Sequence, residues 1–515
     1  MKVSKNAKKT CCKVLMACTA LAFAVGTQDA IGAPGPQPKY VFFFLGDGMA
    51  SSQIQATEAY LTTVNGGSAM KATDLLKPEN RLNMSKMPVQ GMQTTFDSFA
   101  LMTDSASSAT AFACGLKTVS GTIGMDETKT TSYKSVAQLA HENGKKVGVI
   151  SSVSLDHATP AAYYASVASR SSMNEIGRQM AETDYEFFGG GGLGQPTGAT
   201  DVMALLATKG YEVKNTRADI LDLKNNPQDK VVCINPWLQD AAAMPYAIDR
   251  PATNLSLAEM TDVAVANLMG DEKDHKQHNQ NGFFIMVEGG KIDWACHAND
   301  AKAAIGDMLD FDDAIGVALD FYNKHPHETL IIVTGDHETG GMTIGHATTG
   351  YKAYYSELTK QTMSFQQFET LWAPHEAANE GTVCGNVAAS NNLESDATVM
   401  GWLQNDFGLV YSTLNDFQKQ KLEDAYDKAM CETNDNSAAE NTFLYSGYNP
   451  MTVTMTHILN EKASIGWTSY SHTGVPVPVF AKGRDAQAFA GFYDNTDIAK
   501  RLAKVMDLPE LPVQK

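Results

Sequence analysis

Four short apolar runs, each leading to an acidic residue, constrain this chain more than any other feature of it. Residues 40–45 run into Gly46-Asp47-Gly48, residues 147–151 lead towards Asp156, residues 283–287 run into Glu288, and residues 330–333 run into Gly335-Asp336-His337. A continuous apolar run of this length reads as a strand buried on both faces. Helical patterns separate the runs, as over residues 298–323, where apolar residues recur at helical spacing and Asp and Lys fill the remaining positions. The alternation predicts an α/β fold: a large, mostly parallel central sheet with helices on both faces. Ligands of such sheets bind beyond the carboxyl ends of the strands, where these acids and histidines fall.

The chain has 515 residues, with 40 Lys and Arg against 58 Asp and Glu, a formal charge of −18. No dense basic run follows Lys13, which argues against nucleic acid as a partner, because duplex binding needs a basic footprint. At the amino terminus Lys2, Lys5, Lys8, Lys9 and Lys13 precede an apolar run over residues 14–25, followed by small residues at Gly26, Ala30 and Ala33. That order predicts a secretory signal peptide, taken as residues 1–30, whose apolar run is too short to span a bilayer. Five Lys and one Asp leave with it, taking the charge from −18 to −22. Cys18 lies inside the apolar run, which rules out a lipoprotein signal, and no later segment reads as a membrane anchor. Cys114, Cys233, Cys296, Cys384 and Cys431 remain; Cys384 and Cys431 share one polar stretch and are the best candidates for a disulfide.

The rhythm of strands and helices breaks between residues 347 and 462, a stretch rich in Asn, Asp, Glu, Ser and aromatics, with weak helices near 365–372 and 416–430. It reads as an insertion into a catalytic domain made of residues 31–346 and 463–515. Residues 475–481 form a strand whose Pro476 and Pro478 put it near an edge, and a helix over 497–506, capped by Asn495 or Thr496, ends the chain. The glycines at 189–192 read as a turn.

Small residues around Thr103-Asp104-Ser105-Ala106-Ser107-Ser108-Ala109-Thr110 lead into a helix with Ser105 at its start, where free N–H groups favour an anion; an ordinary helix cap explains the stretch equally well. Glu288, Asp293 and His297 combine oxygen donors suited to Mg²⁺ with a carboxylate–imidazole set suited to Zn²⁺. Asp336-His337 closes a very apolar strand, and His472 is a further candidate ligand. Asp156-His157-Ala158-Thr159-Pro160 opens a helix that runs towards Arg170, the natural clamp for phosphate oxygens. Along a straight helix Thr159 and Arg170 would lie ~16 Å apart, so both can face one site only if the helix ends or turns between them. His275, His278, His325, His327, His346, His375 and His457 have no ligand-like setting and read as solvated or structural.

Taken in order, Gly46-Asp47-Gly48, Thr103-Asp104-Ser105, Thr159 with Arg170, Glu288 with Asp293 and His297, Asp336-His337 and His472 resemble the complete site of the alkaline phosphatases. The resemblance covers about residues 40–345 and 462–510. It implies two Zn²⁺ and one Mg²⁺ per subunit: Asp293, His297 and His472 on one zinc; Asp47, Asp336, His337 and the nucleophile Ser105 on the other; and Asp47, Thr159 and Glu288 on magnesium. It further implies that Arg170 grips the phosphate, that a phosphoserine forms on Ser105 and is hydrolysed, that the substrates are small phosphate monoesters, and that the protein is a periplasmic or secreted homodimer. His157 and Trp294 flank the phosphate and magnesium sites where the best-studied bacterial members have Asp and Lys, which implies weaker product binding and easier metal loss. The interval of 135 positions from His337 to His472 exceeds that in compact members, and longer members carry a crown or interface insertion there.

A sulfatase of the same superfamily would need Pro and Arg shortly after its nucleophile, and the residues after Ser105 lack them. A phosphodiesterase fits the composition, and a non-catalytic metal or phosphate scavenger would be expected to have lost a core group.

Overall fold

The computed structural model describes residues 37–270, 281–384 and 393–515. The signal segment with Cys11, Cys12 and Cys18, and the histidines His275 and His278, lie outside the described residues. Ten strands build the main sheet: β1 (Tyr40–Gly46), β2 (Val89–Gln93), β3 (Lys146–Ser151), β4 (Phe187–Gly190), β5 (Glu212–Lys214), β6 (Val231–Ile234), β7 (Phe283–Gly289), β8 (Thr329–Gly335), β9 (Val477–Gly483) and β10 (Gly491–Tyr493). Their order is β10-β2-β9-β8-β1-β7-β3-β4-β6-β5. From β8 to β5 every neighbouring pair is parallel, while β9 runs antiparallel to both β8 and β2. The sheet is mostly parallel and helices cover both faces, as the apolar runs predict.

Alternation along β1 shows why. Val41, Phe43 and Leu45 enter one core with the helices Ser105–Cys114, Val136–Glu142 and Thr496–Val505, whereas Tyr40, Phe42 and Phe44 enter a second core with Leu257–Met269 and Ala301–Lys324. All seven residues of β1 are buried, as are all seven of β7 and of β8. At ~25 cal/mol per Å² of apolar surface, each such side chain contributes roughly 1.5–3 kcal/mol against its exposed state. Register then fixes the strand ends: Gly46 lies opposite both Gly289 and Gly335, so the residues beyond β1, β7 and β8 emerge side by side.

Several details depart from the sequence expectations. The strand carrying Pro478 is internal, third from the sheet margin; Pro478 lacks an N–H, but its carbonyl accepts a hydrogen bond from Thr334 Oγ1 at 3.0 Å. The helix opened by His157 spans only Ala158–Ala161, because Val167 is drawn into a bridge with Ile123 through backbone hydrogen bonds of 2.9 and 3.0 Å. Of the glycines at 189–192, the first two belong to β4. A Cβ on Gly190 would sit 1.8 Å from Ser151 O, so glycine there is a condition for β4 to lie against β3.

Between residues 347 and 462 the structure has more helix than the sequence suggested: Phe365–Val383, Ala397–Asn405, Asp416–Cys431, Ala438–Tyr445 and Pro450–Ala463. They surround a third core that also takes in Ala56, Ala59 and Tyr60 of the helix Ser51–Val64, and Ala301 and Ile305. A disulfide joins Cys384 to Cys431, while Cys114, Cys233 and Cys296 are free and buried. No helix among the described residues is long and apolar enough to cross a membrane.

Two predictions follow from this packing. The disulfide closes a loop with a sequence separation of 47 residues, for which chain entropy allows up to ~4 kcal/mol; Cys431→Ser should lower the denaturant midpoint, and reductant should do the same to the wild type but not to the variant. On the sheet side, His141 Nε2 lies 3.6 Å from Glu186 Oε1, and pairing with that carboxylate raises the imidazole pKa despite burial. A raised histidine stabilises the fold fully below the unfolded pKa of ~6.5, and that contribution is lost as pH rises through the folded value. His141→Gln should therefore cost under about 1 kcal/mol at pH 5.5 and nothing at pH 9, read from urea melts at the two pH values.

Candidate metal and phosphate site

Asp47 follows β1 directly, Glu288 is the penultimate residue of β7, and Asp336 and His337 follow β8. Lys291–His297, the short helix that leaves β7, carries Asp293 and His297 one turn apart. His472 arrives from a two-residue strand that pairs with Glu338 and Thr339. The ligand atoms of Asp47, Asp336 and His337 lie within 4.8 Å of one another, and so do those of Asp293, His337 and His472, which makes His337 common to both groups. His297 borders the second group, with Nε2 3.3 Å from Asp293 Oδ2 and 3.1 Å from His472 Nε2.

The histidine orientations are set by backbone carbonyls. Tyr470 O accepts from His297 Nδ1 and Thr103 O accepts from His472 Nδ1, both at 2.6 Å. With each Nδ1 acting as donor, the two Nε2 atoms turn lone pairs towards each other across 3.1 Å, an arrangement that calls for a cation. His337 stacks on His472 with ring centroids 3.6 Å apart, and its Nε2 approaches Asp336 Oδ2 at 3.2 Å and Asp47 Oδ1 at 3.4 Å.

Burial raises the Asp47 carboxyl well above the ordinary range, and repulsion from Asp336, Asp293 and Glu288 adds to it. Burial likewise pushes Glu288 up to about 8 and Asp336 up to about 6. Both Asp47 oxygens, Glu288 Oε1, Thr159 Oγ1 and His337 Nε2 are buried without a hydrogen-bond partner among the described residues. Unsatisfied buried acceptors cost several kcal/mol each unless something fills them. Oxygen and nitrogen donors of these types fit divalent cations, so the chain has the residues for a multi-metal centre.

Ser105 opens the helix Ser105–Cys114, which Asp104 caps by accepting from Ser107 N at 3.0 Å. From the same helix Ser108 Oγ donates to Asp336 Oδ2 at 3.1 Å, which ties the helix start to the end of β8. Arg170 reaches the site through the turn after Ala161: Nη1 donates to Asp104 Oδ2 at 3.0 Å and Nη2 lies 3.1 Å from His157 Nε2. The His157 ring meets Trp294 edge-on at 5.8 Å. Asp156, in contrast, turns away from the site and accepts from Gly194 N and Gln195 N. The polar group at the end of β3 is Ser151, which donates to Glu288 Oε2.

Sequence inspection passed over Asp104 as the holder of Arg170 and Thr339, whose Oγ1 donates to Asp293 Oδ1. It also passed over Glu338, which accepts from Gln53 Nε2, Gly341 N and Met342 N. Only the proximity of Asp104 to Ser105 could have pointed to the first; the other two depend on long-range pairing.

The family model described as alkaline phosphatase matches residues 38–186 and 177–508. The chain belongs to the alkaline phosphatase family. Alkaline phosphatase 3 of Bacillus subtilis (strain 168) is 30% identical over 490 residues, covering 93% of this chain and 90% of its own. Among solved structures, the cold-active alkaline phosphatase of the psychrophile Shewanella sp. matches with a TM-score of 0.67 at 26% identity, over 91% of this chain and 99% of its own. The Thermus thermophilus alkaline phosphatase has the same fold, with a TM-score of 0.70 at 23% identity over 94% of each chain. As an alkaline phosphatase family member the chain is a hydrolase, with small phosphate esters as the family's substrates and with two clusters of side chains suited to metal ions.

Removing metal from this site should expose the repulsion among its carboxylates. Chelation is expected to lower the thermal midpoint, and restoring Zn²⁺ and Mg²⁺ should raise it again in proportion to the logarithm of free metal. Unchanged midpoints in a calorimetric scan would count against a metal centre.

Proposed function

We propose that the chain is a metal-dependent phosphomonoesterase that converts phosphate monoesters to alcohol and phosphate through a phosphoserine on Ser105. The observation that carries this reading is the placement of Ser105 at a helix start beside an Arg170 fork already held by Asp104 and His157. In this reading Asp293, His297 and His472 hold one Zn²⁺, Asp47, Asp336 and His337 hold a second, and Asp47, Thr159 and Glu288 hold Mg²⁺. When bound, the cations supply Lewis acidity that lowers the pKa of a hydroxyl or water and offsets charge on the entering and leaving oxygens.

The protein's own groups do the remaining work. Arg170 engages two non-bridging phosphate oxygens, with its guanidinium oriented by Asp104 and His157. Backbone N–H groups at the start of Ser105–Cys114 favour the same anion. Ser105 Oγ attacks phosphorus in line as the alcohol oxygen departs, and water then attacks the phosphoserine to release phosphate and restore the hydroxyl. Where a Lys–Asp pair would add charge and hold metal waters, His157 and Trp294 present an edge-on aromatic contact, which favours weaker product binding.

Residues 347–462 form an elaboration on a catalytic domain of residues 31–346 and 463–515. Support comes from the closeness of its ends: Gly345 N donates to Ser464 O at 2.7 Å and Tyr354 N to Ala463 O at 3.2 Å. The charged-then-apolar amino terminus supports secretion to the periplasm or beyond, and the family resemblance supports a homodimer.

Ser105→Ala should cut hydrolysis of an aryl phosphate by at least ~10³-fold with the fold intact, and acid-quenched wild type should carry phosphate on the peptide containing Ser105. Phosphate on another residue would overturn the mechanism. Introducing the missing charge with His157→Asp and Trp294→Lys together should tighten inhibition by inorganic phosphate, measured as a lower inhibition constant.

A further inference from the structure

Two of the three residues that link the helix Lys291–His297 to the long helix Ala301–Lys324, Asn299 and Asp300, are held by the segment that follows residue 347. Asn299, two residues after His297, is 1% exposed and has a left-handed backbone with φ of 52°. Its Nδ2 donates to Cys296 O at 2.8 Å and to Ser469 O at 3.0 Å. Those bonds fix the amide orientation and leave Oδ1 as the acceptor. His457 Nε2 lies 2.9 Å from that Oδ1, so the ring donates from Nε2. Asn460, one turn further along the helix Pro450–Ala463, donates from Nδ2 to Asn299 O at 2.7 Å. Asp300 is gripped in the same way: its two carboxylate oxygens accept from Gln361 Nε2 at 2.9 Å, and Oδ2 also accepts from Phe365 N at 2.9 Å.

Ser469 begins the loop whose Tyr470 carbonyl orients His297 and whose strand presents His472. A single amide, Asn299, thus ties the end of the helix carrying Asp293 and His297 to the loop carrying His472. His457 holds that amide from the far side. We infer that His457 is a positioning residue, which acts through Asn299 to keep His297 and His472 at the spacing a bound cation requires. The inference rests on the assignment of Asp293, His297 and His472 as metal ligands. It gives the helices after residue 347 a part in metal retention. Partners that orient metal ligands from outside typically account for 10–100-fold in affinity.

The test is the rate at which zinc-loaded protein surrenders Zn²⁺ to a chromophoric chelator. His457→Ala and Asn299→Gly should release the metal at least ~10-fold faster than wild type. His457→Gln, whose amide N–H can also donate to Asn299 Oδ1, should recover most of the loss. His375→Ala serves as the control: His375 is half-buried in the same segment, but its partner is Asp396, at 2.7 Å. It should lower the thermal midpoint without changing zinc release. If His457→Ala does not fold, Asn299→Gly carries the test, since glycine accepts the left-handed conformation. Wild-type release rates in both variants, or equal acceleration by His375→Ala, would overturn the inference. Wild-type protein that holds no zinc would overturn the ligand assignment and the inference with it.

Discussion

Four carboxylates and three imidazoles share one patch at the carboxyl ends of the central strands: Asp47, Glu288, Asp293 and Asp336 with His297, His337 and His472. Burial raises the carboxyls of Asp47, Glu288 and Asp336, and the repulsion among neighbouring carboxylates adds to the shift. The surrounding fold accounts for how the patch persists. Strands buried on both faces hold Asp47 and Asp336 in register, carbonyls of Tyr470 and Thr103 fix two imidazoles, and Ser108 ties the helix Ser105–Cys114 to Asp336. Cations convert this repulsion into binding energy, so stability and chemistry draw on the same groups.

The central strands and the acids at their ends were legible in the sequence because burial on both faces leaves an unbroken apolar run that a polar residue must terminate. Ser105 at a helix start was legible for the same local reason. Arg170 was legible as a residue type and not as a place: its route depends on the Ile123–Val167 bridge, which shortens a helix that local pattern alone would have extended. Pro478 misled in the other direction, since the loss of one N–H is tolerable inside a sheet when the carbonyl still finds Thr334. His457 was passed over because its partner, Asn299, is 158 positions away. No local pattern encodes such a contact.

Asp104 and His157 hold the Arg170 guanidinium from two sides. Asp104 neutralises part of the guanidinium charge while His157 and Trp294 offer an aromatic edge, so under the proposed assignment the surface that meets phosphate is less positive than a Lys beside the Arg would make it. The proposal of weaker product binding rests on that difference in charge. Fixed orientation still gives the Arg fork its geometric selectivity for a tetrahedral anion.

The ligand order along the chain has a consequence for biogenesis. Donors are drawn from residue 47 at one end to residue 472 at the other, and β9, which begins at Val477, must pair with β2 before the sheet is complete. A growing chain therefore has no finished metal centre until synthesis has passed residue 472. Metal acquisition is a late event in the life of the molecule, deferred to whichever compartment receives the whole chain.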